Sequence, residues 1–306
     1  MDLFNLQDRV AIVTGASSGL GVAFATGLAE AGADLVLAAR RVEKLAETER
    51  LVQAIGRRAI SVPADVSKQP DCQNVVDRTM DELGRVDILI NNAGVSSAVP
   101  ATRESVEDFT RVIDINLNGC YWMAQACGRV MQPGSSIVNI SSALALSTFG
   151  LPQAAYSASK AGLLGLTRDL AQQWGSRKGI RVNALAPGKF PSEMSDEYLP
   201  GYLDEQLKRV PLARTGRVEE VAAAAVFLAS AAGGYVTGQT IVVDGGATII
   251  VTGAAELSSW VADNCIDSYH RGMEVVDPFL ARGLIGAFLR TYVPASDGFA
   301  VGDQKE

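Results

Sequence analysis

The segment from Arg9 to Gly32 constrains the fold most. It runs Arg9-Val10-Ala11-Ile12-Val13, then Thr14-Gly15-Ala16-Ser17-Ser18-Gly19-Leu20-Gly21, and the stretch from Leu20 to Ala31 has helical spacing that stops at Gly32. The glycine turn therefore sits between a strand and a helix. In that context Gly15 permits the tight turn, while Gly19 and Gly21 let the backbone and helix N-terminus approach a pyrophosphate, whose charge the helix dipole and free amides stabilise. Ser17, Ser18 and Leu20 belong to the same turn and share the expected contact. The competing reading is a merely flexible loop.

Strands are expected near residues 9–14, 34–39, 58–62, 86–91, 135–140, 180–185 and 239–243, with helical patterns between them. Leu35-Val36-Leu37-Ala38 and Ile88-Leu89-Ile90 are continuously apolar. Parallel strands covered by helices on both faces read this way. The expected fold is α/β, a Rossmann-like doubly wound parallel sheet of about seven strands. No linker interrupts the alternation, which argues for one large domain over residues 1–248 and a C-terminal extension over 249–306. In such a sheet ligands bind beyond the carboxyl ends of the strands, where the Gly15 turn, Asp65, Asn92, Ser142 and Gly188 all fall.

Tyr156 and Lys160, in Tyr156-Ser157-Ala158-Ser159-Lys160, lie one helical turn apart on one face. A phenol with a reference pKa of ~10 drops by roughly 1 to 3 units beside a cation, which brings proton transfer within reach near neutral pH. Alone, the pair reads as a surface tyrosine and a solvated lysine. Downstream of the glycine turn, it implies a nicotinamide-dependent oxidoreductase.

The spacing Gly15-x-x-x-Gly19-x-Gly21 is followed in order by Asp65-Val66, Asn91-Asn92-Ala93-Gly94, Asn116 in Asn116-Leu117-Asn118-Gly119, Ser141-Ser142, Tyr156 with Lys160, Pro187-Gly188 and Asp244-Gly245-Gly246. Over residues 6 to about 248 the chain resembles the short-chain dehydrogenase/reductase family of classical type. The resemblance implies that Tyr156 exchanges the proton with the carbonyl or alcohol oxygen. Lys160 lowers the Tyr156 pKa and binds the nicotinamide ribose, and Ser142 holds the substrate oxygen. Asn116 helps hold a water that connects Lys160 to solvent, although an ordinary helix-packing amide is an equal reading. Ser142 precedes Tyr156 by 14 residues, one more than is usual in the family, and the position by count is Ala143. The expectation is an insertion between Leu144 and Pro152 with Ser142 keeping the role, and Ser141 is the alternative.

The end of the second strand reads Ala38-Ala39-Arg40-Arg41, with no acid before Glu43 to accept from a ribose 2′-hydroxyl. Guanidiniums at a helix start oppose the dipole, so an anionic ligand explains Arg40 and Arg41 better than solvated charge does. NADP is the expected cofactor, with NAD the alternative. By resemblance, Asp65 accepts from the adenine amino group with Val66 beside it, although Asp65 also reads as a strand-end cap. Asn92, Ala93 and Gly94 line the adenosine ribose. Pro187 and Gly188 sit against the nicotinamide with Phe190 following, and Ser192 binds the carboxamide.

A net charge of −7 and a pI near 5.0, with no basic run, argue against nucleic-acid or anionic-membrane binding. Cys72, Cys120, Cys127 and Cys265 lack metal-ligand spacing and read as reduced packing thiols, and neither a signal peptide nor a spanning segment stands out. The expected setting is cytoplasmic and the partner a small-molecule carbonyl or alcohol, with no metal. Residues 190 to 214 read as a mixed lid suited to an uncharged or moderately apolar carbonyl, and Pro187 to Met194 resembles gluconate 5-dehydrogenase-like and ketoacyl-reductase-like members. Apolar residues on the helices expected over 106–131 and 153–174, among them Tyr121, Trp122, Met123, Leu163, Leu164, Leu166 and Leu170, point to a homodimer or homotetramer. The partly helical extension, with the lone His270, either roofs the cleft, packs on a neighbouring subunit or adds little. The alternative functions are a catalytically silent dinucleotide-sensing regulator, against which intact Tyr156, Lys160 and Asn116 argue, and an NAD(H)-preferring polyol or sugar-acid dehydrogenase.

Overall fold

In the computed structural model the central sheet holds seven strands, all parallel, in the order β3-β2-β1-β4-β5-β6-β7. They are β1 (Val10–Thr14), β2 (Asp34–Ala39), β3 (Ala59–Pro63), β4 (Ile88–Asn91), β5 (Ser136–Ile140), β6 (Arg181–Pro187) and β7 (Thr240–Val243). The structure describes residues 2–191, 207–208 and 210–249. Ser192, Cys265, His270, the lid residues Met194, Tyr198, Leu199 and Tyr202, and the extension beyond Ile249 lie outside the described residues.

The central strands β1, β4 and β5 are buried throughout because helices cover both faces, while the edge strands β3 and β7 are only partly covered. Alternate side chains of β1 enter opposite cores, as a period of two requires. Ala11 and Val13 pack with Phe24 and Leu28 of α1 (Leu20–Glu30), with Leu45 of α2 (Val42–Ala54) and with Val221 and Leu228 of a helix near the C-terminus of the described chain. Val10 and Ile12 pack on the other side with Val75 of α3 (Gln69–Leu83) and with Met123 and Leu170 from later helices. Those elements are α4 (Val106–Ile113), α5 (Gly119–Val130), α6 (Ala154–Lys178) and α7 (Val218–Ala229).

Strand order reverses at β1, which pairs with β2 on one side and β4 on the other, Ala11 lying opposite both Leu35 and Ile88. The crevice of a doubly wound sheet opens at such a point, beyond Thr14 and Asn91. The expected strand positions hold to within two residues. The helix expected over 106–131 is interrupted by a π-helical turn at Asp114–Asn118, which rephases the faces and carries Asn116 to full burial.

The oligomer argument needs correction. Met123, Leu163, Leu164 and Leu170 are buried within the chain, so they need no partner, while Tyr121, Trp122 and Leu166 are only partly buried and the exposed apolar side chains nearby are Val106 and Phe109 of α4. Burial pushes the Cys72 and Cys120 thiols up to about 12 and about 11, as befits packing residues. No helix among the described residues is long and apolar enough to cross a membrane, and none of their acidic, cysteine or histidine side chains cluster so as to hold a metal.

Candidate active site

A cleft of about 650 Å³ opens beyond the carboxyl ends of the strands. Its floor is the glycine turn, which the end of β4 holds in place. Asn92 Nδ2 donates to the Thr14 and Gly15 carbonyls at 2.9 and 3.3 Å, and Thr14 Oγ1 accepts from the Asn92 and Ala93 amides at 3.0 Å each. Gly15 has φ +65°, and a Cβ there would stand 2.8 Å from Ala93 Cα. On Gly21 a Cβ would meet the Gly15 carbonyl oxygen at 2.1 Å. Gly21 therefore does not line the cleft. It lets α1 pack under the turn, while Gly15, Ser17, Ser18, Gly19 and Leu20 face the opening.

Arg41 closes over this floor, its Nη2 donating to Ser18 Oγ at 2.6 Å and to Ser17 Oγ at 3.2 Å. Arg40 and Asp65 share the same wall, with Val66 beyond them. Burial alone would raise the Asp65 pKa. Hydrogen bonds from the Ser67 hydroxyl and amide, with Arg40 and Lys68 nearby, outweigh it and hold the carboxyl below the ordinary range. Asp65 Oδ1 accepts from Ser67 at 2.8 and 3.1 Å, so it does cap the chain after β3 while facing the cleft.

Deeper along the cleft stand Ser142, Tyr156 and Lys160. Ser142 lies two residues beyond β5 and caps a short 3₁₀ turn by accepting from the Leu144 amide. Burial raises the Tyr156 pKa, and a hydrogen bond with Ser142 acts against that rise. Ser141 instead turns away, donating to the Lys160 carbonyl at 2.8 Å, and Ala143 is buried. Of the residues near this spacing, Ser142 is thus the one beside the phenol. Lys160 Nζ lies 5.7 Å from the centre of the Tyr156 ring but donates to the Ile140 carbonyl at 2.8 Å. Burial lowers the Lys160 pKa. In this geometry burial, rather than the neighbouring cation, dominates the phenol, contrary to the expectation from spacing.

Asn116 does not reach the cleft. Its amide bridges the Val95 backbone, Oδ1 accepting from the amide at 2.8 Å and Nδ2 donating to the carbonyl at 2.9 Å, with Ser159 Oγ at 3.1 Å. It holds the strand exit carrying Ala93 and Gly94 against α6. Pro187, Gly188 and Phe190 line the far wall. Sequence reasoning missed Ser96, Phe149, Gln153 and Lys189, which also line the cleft. Only their positions flanking Tyr156 and Gly188 could have signalled them.

A glycine turn at the switch point of a doubly wound sheet, in one cleft with a serine, a tyrosine and a buried lysine, defines a class of α/β oxidoreductases. Residues 15–248 match the family model described as enoyl-(acyl carrier protein) reductase. The chain is 39% identical over 253 residues to gluconate 5-dehydrogenase of Gluconobacter oxydans, covering 81% of this chain and 98% of the relative. It is 39% identical over 246 residues to a 3-oxoacyl-[acyl-carrier-protein] reductase of Synechocystis, covering 79% and 97%. A crystal structure of a gluconate 5-dehydrogenase from Burkholderia cenocepacia, in complex with NADP and tartrate, matches with a TM-score of 0.76 at 36% identity, covering 82% of this chain and 99% of that one. The chain belongs to the short-chain dehydrogenase/reductase family.

Proposed function

We propose that this chain interconverts a carbonyl and a secondary alcohol by NADP(H)-dependent hydride transfer, with Tyr156 as the acid/base. The observation that carries the reading is the Tyr156 phenol, hydrogen-bonded to Ser142 and one helical turn from the buried Lys160 ammonium, in the cleft that the glycine turn floors.

The residues fit a dinucleotide. A turn whose glycines leave no room for a Cβ, an open helix N-terminus at Gly19 and a guanidinium over Ser17 and Ser18 form an anion cradle. When bound, the nicotinamide supplies or accepts the hydride. Ser142 holds the substrate oxygen at the phenol, and Tyr156 donates the proton in reduction or takes it in oxidation. Lys160, anchored on Ile140, offers its ammonium to the ribose hydroxyls and stabilises phenolate. Asn116 keeps the strand exit in register rather than touching the reacting atoms. Arg40 and Arg41, with no acid at the end of β2, favour the 2′-phosphorylated cofactor, and the Burkholderia neighbour solved with NADP supports this.

We further infer a homo-oligomer that uses the exposed Val106 and Phe109 face of α4, with residues 249–306 forming a separate extension. Oxidation of NADPH against ketones, aldehydes and ketoacyl thioesters tests the central reading. Absence of cofactor turnover with every class, despite measurable cofactor binding, would sink it in favour of a silent sensor.

A further inference from the structure

Gly216 belongs neither to the glycine turn nor to the loops that carry Ser142 and Tyr156, and its φ lies outside the left-handed region, so its backbone gives no reason for a glycine. The reason is space. A Cβ at Gly216 would stand 2.2 Å from Phe190 Cε1, 2.5 Å from Cζ and 2.8 Å from Cδ1, well inside contact distance. One edge of the Phe190 ring thus rests on bare backbone. The ring is also a partition. It lines the main cleft beside Pro187 and Gly188, and it lines a small cavity of about 180 Å³ that Gly216, Leu212 and Val243 share.

Three features direct where the ring would go if it were pushed. The Gly216 amide donates to the Lys189 carbonyl at 2.9 Å, which ties the backbone carrying the ring to the backbone carrying the glycine. Glu220 accepts from the Arg217 amide at 2.8 Å and from both terminal nitrogens of Arg214 at 2.8 Å each, so the chain on either side of Gly216 is pinned to the first turn of α7. Phe190 is otherwise buried in the core cluster that includes Ile140 and Val221, and a close-packed core yields little. The ring meets open space where it lines the cleft, so displacement from Gly216 carries it inward.

We propose that Gly216 is a positioning residue for the hydride-transfer end of the cleft: by withholding a side chain it seats Phe190 back in the wall that Gly188 continues, and so preserves the depth that a nicotinamide ring needs. This rests on the oxidoreductase reading above. Gly216 touches neither substrate nor cofactor and acts through Phe190 alone.

The test is calorimetric titration of the full chain with NADPH and with adenosine 2′,5′-bisphosphate, which carries the phosphorylated adenosine half and no nicotinamide. In Gly216→Ala, NADPH binding should weaken by about fivefold or more, as overpacking by one methyl group implies, while the bisphosphate changes by about twofold or less. Phe190→Leu removes the ring edge, so adding Gly216→Ala to it should cost NADPH about twofold or less. Equal weakening of both ligands shows a general loosening of the fold and overturns the proposal, as does a Gly216→Ala penalty that persists in full beside Phe190→Leu. Where Gly216→Ala alone does not fold, the double variant measured against Phe190→Leu decides the same point. A wild type that does not bind NADPH overturns this inference together with the reading beneath it. NADPH binding without turnover of any ketone, aldehyde or ketoacyl thioester removes the chemistry alone, and the two affinities still decide the role of Gly216.

Discussion

Lys160 Nζ donates a hydrogen bond to the Ile140 carbonyl at 2.8 Å, and the phenol of Tyr156 is hydrogen-bonded to Ser142 instead. The proposed acid and its proposed helper are neighbours that do not touch. Tyr156→Phe should therefore leave NADPH affinity nearly intact while cutting turnover by about a hundredfold or more, since only the proton donor is lost. Fluorescence titration and steady-state kinetics on the same variant check this, and substantial residual turnover rules the mechanism out.

The raised Tyr156 pKa has a pH signature. Without cofactor, the difference in ultraviolet phenolate absorbance between the wild type and Tyr156→Phe should show a tyrosine that ionises above its ordinary value of 10.0. Alcohol oxidation, which needs phenolate, should rise with pH across the alkaline range, and carbonyl reduction, which needs phenol, should fall there. Parallel profiles in the two directions would assign the proton transfer elsewhere.

Replacing Arg40 and Arg41 together by alanine should raise the dissociation constant for NADPH by about tenfold or more, and that for NADH much less. Calorimetric titration with both cofactors decides it. Equal weakening would mean that Arg41 serves only to order Ser17 and Ser18.

Gly21→Ala tests the floor of the cleft. A Cβ 2.1 Å from the Gly15 carbonyl oxygen has no room, so α1 must move away from the turn. Cofactor binding should be lost, accompanied by a lower melting temperature. Unchanged binding would show that the turn yields without cost.

Asp87 supplies a prediction about stability. Burial alone would raise its pKa, but hydrogen bonds from Arg85, the Val10 amide and Arg9 hold it below the ordinary 3.8. Asp87→Ala should cost about 2–4 kcal/mol near neutral pH, because the buried Val10 amide loses its acceptor. A lowered pKa contributes stability above 3.8 that disappears as pH falls through the folded value, so the gap between wild type and variant should close on acidification. Denaturant melts at neutral and acid pH measure it, and a gap independent of pH would contradict the assignment.

The sheet was legible because its strands are apolar on both faces, so a run such as Leu35-Val36-Leu37-Ala38 has one reading. The glycine turn was legible because few residues tolerate its geometry. The π-helical turn at Asp114–Asn118 was not, since it leaves the apolar pattern almost unchanged while shifting the phase of Asn116. Nor could spacing show which partner Lys160 takes, because the Ile140 carbonyl comes from the end of β5, 20 residues away. Gln153 and Lys189 escaped for a related reason. A cleft wall assembled from different loops has no period and no motif.

The reversal of strand order at β1 divides the cleft between two stretches of chain. The side around the glycine turn is built by Gly94, whereas Ser142, Phe149, Gln153, Tyr156 and Lys189 all come later. Inheritance can therefore act on the two sides separately. The loop over 143–153 can vary without disturbing the glycine turn and its supports, so one wall of the cleft is free to change shape while the other is held fixed by its own backbone.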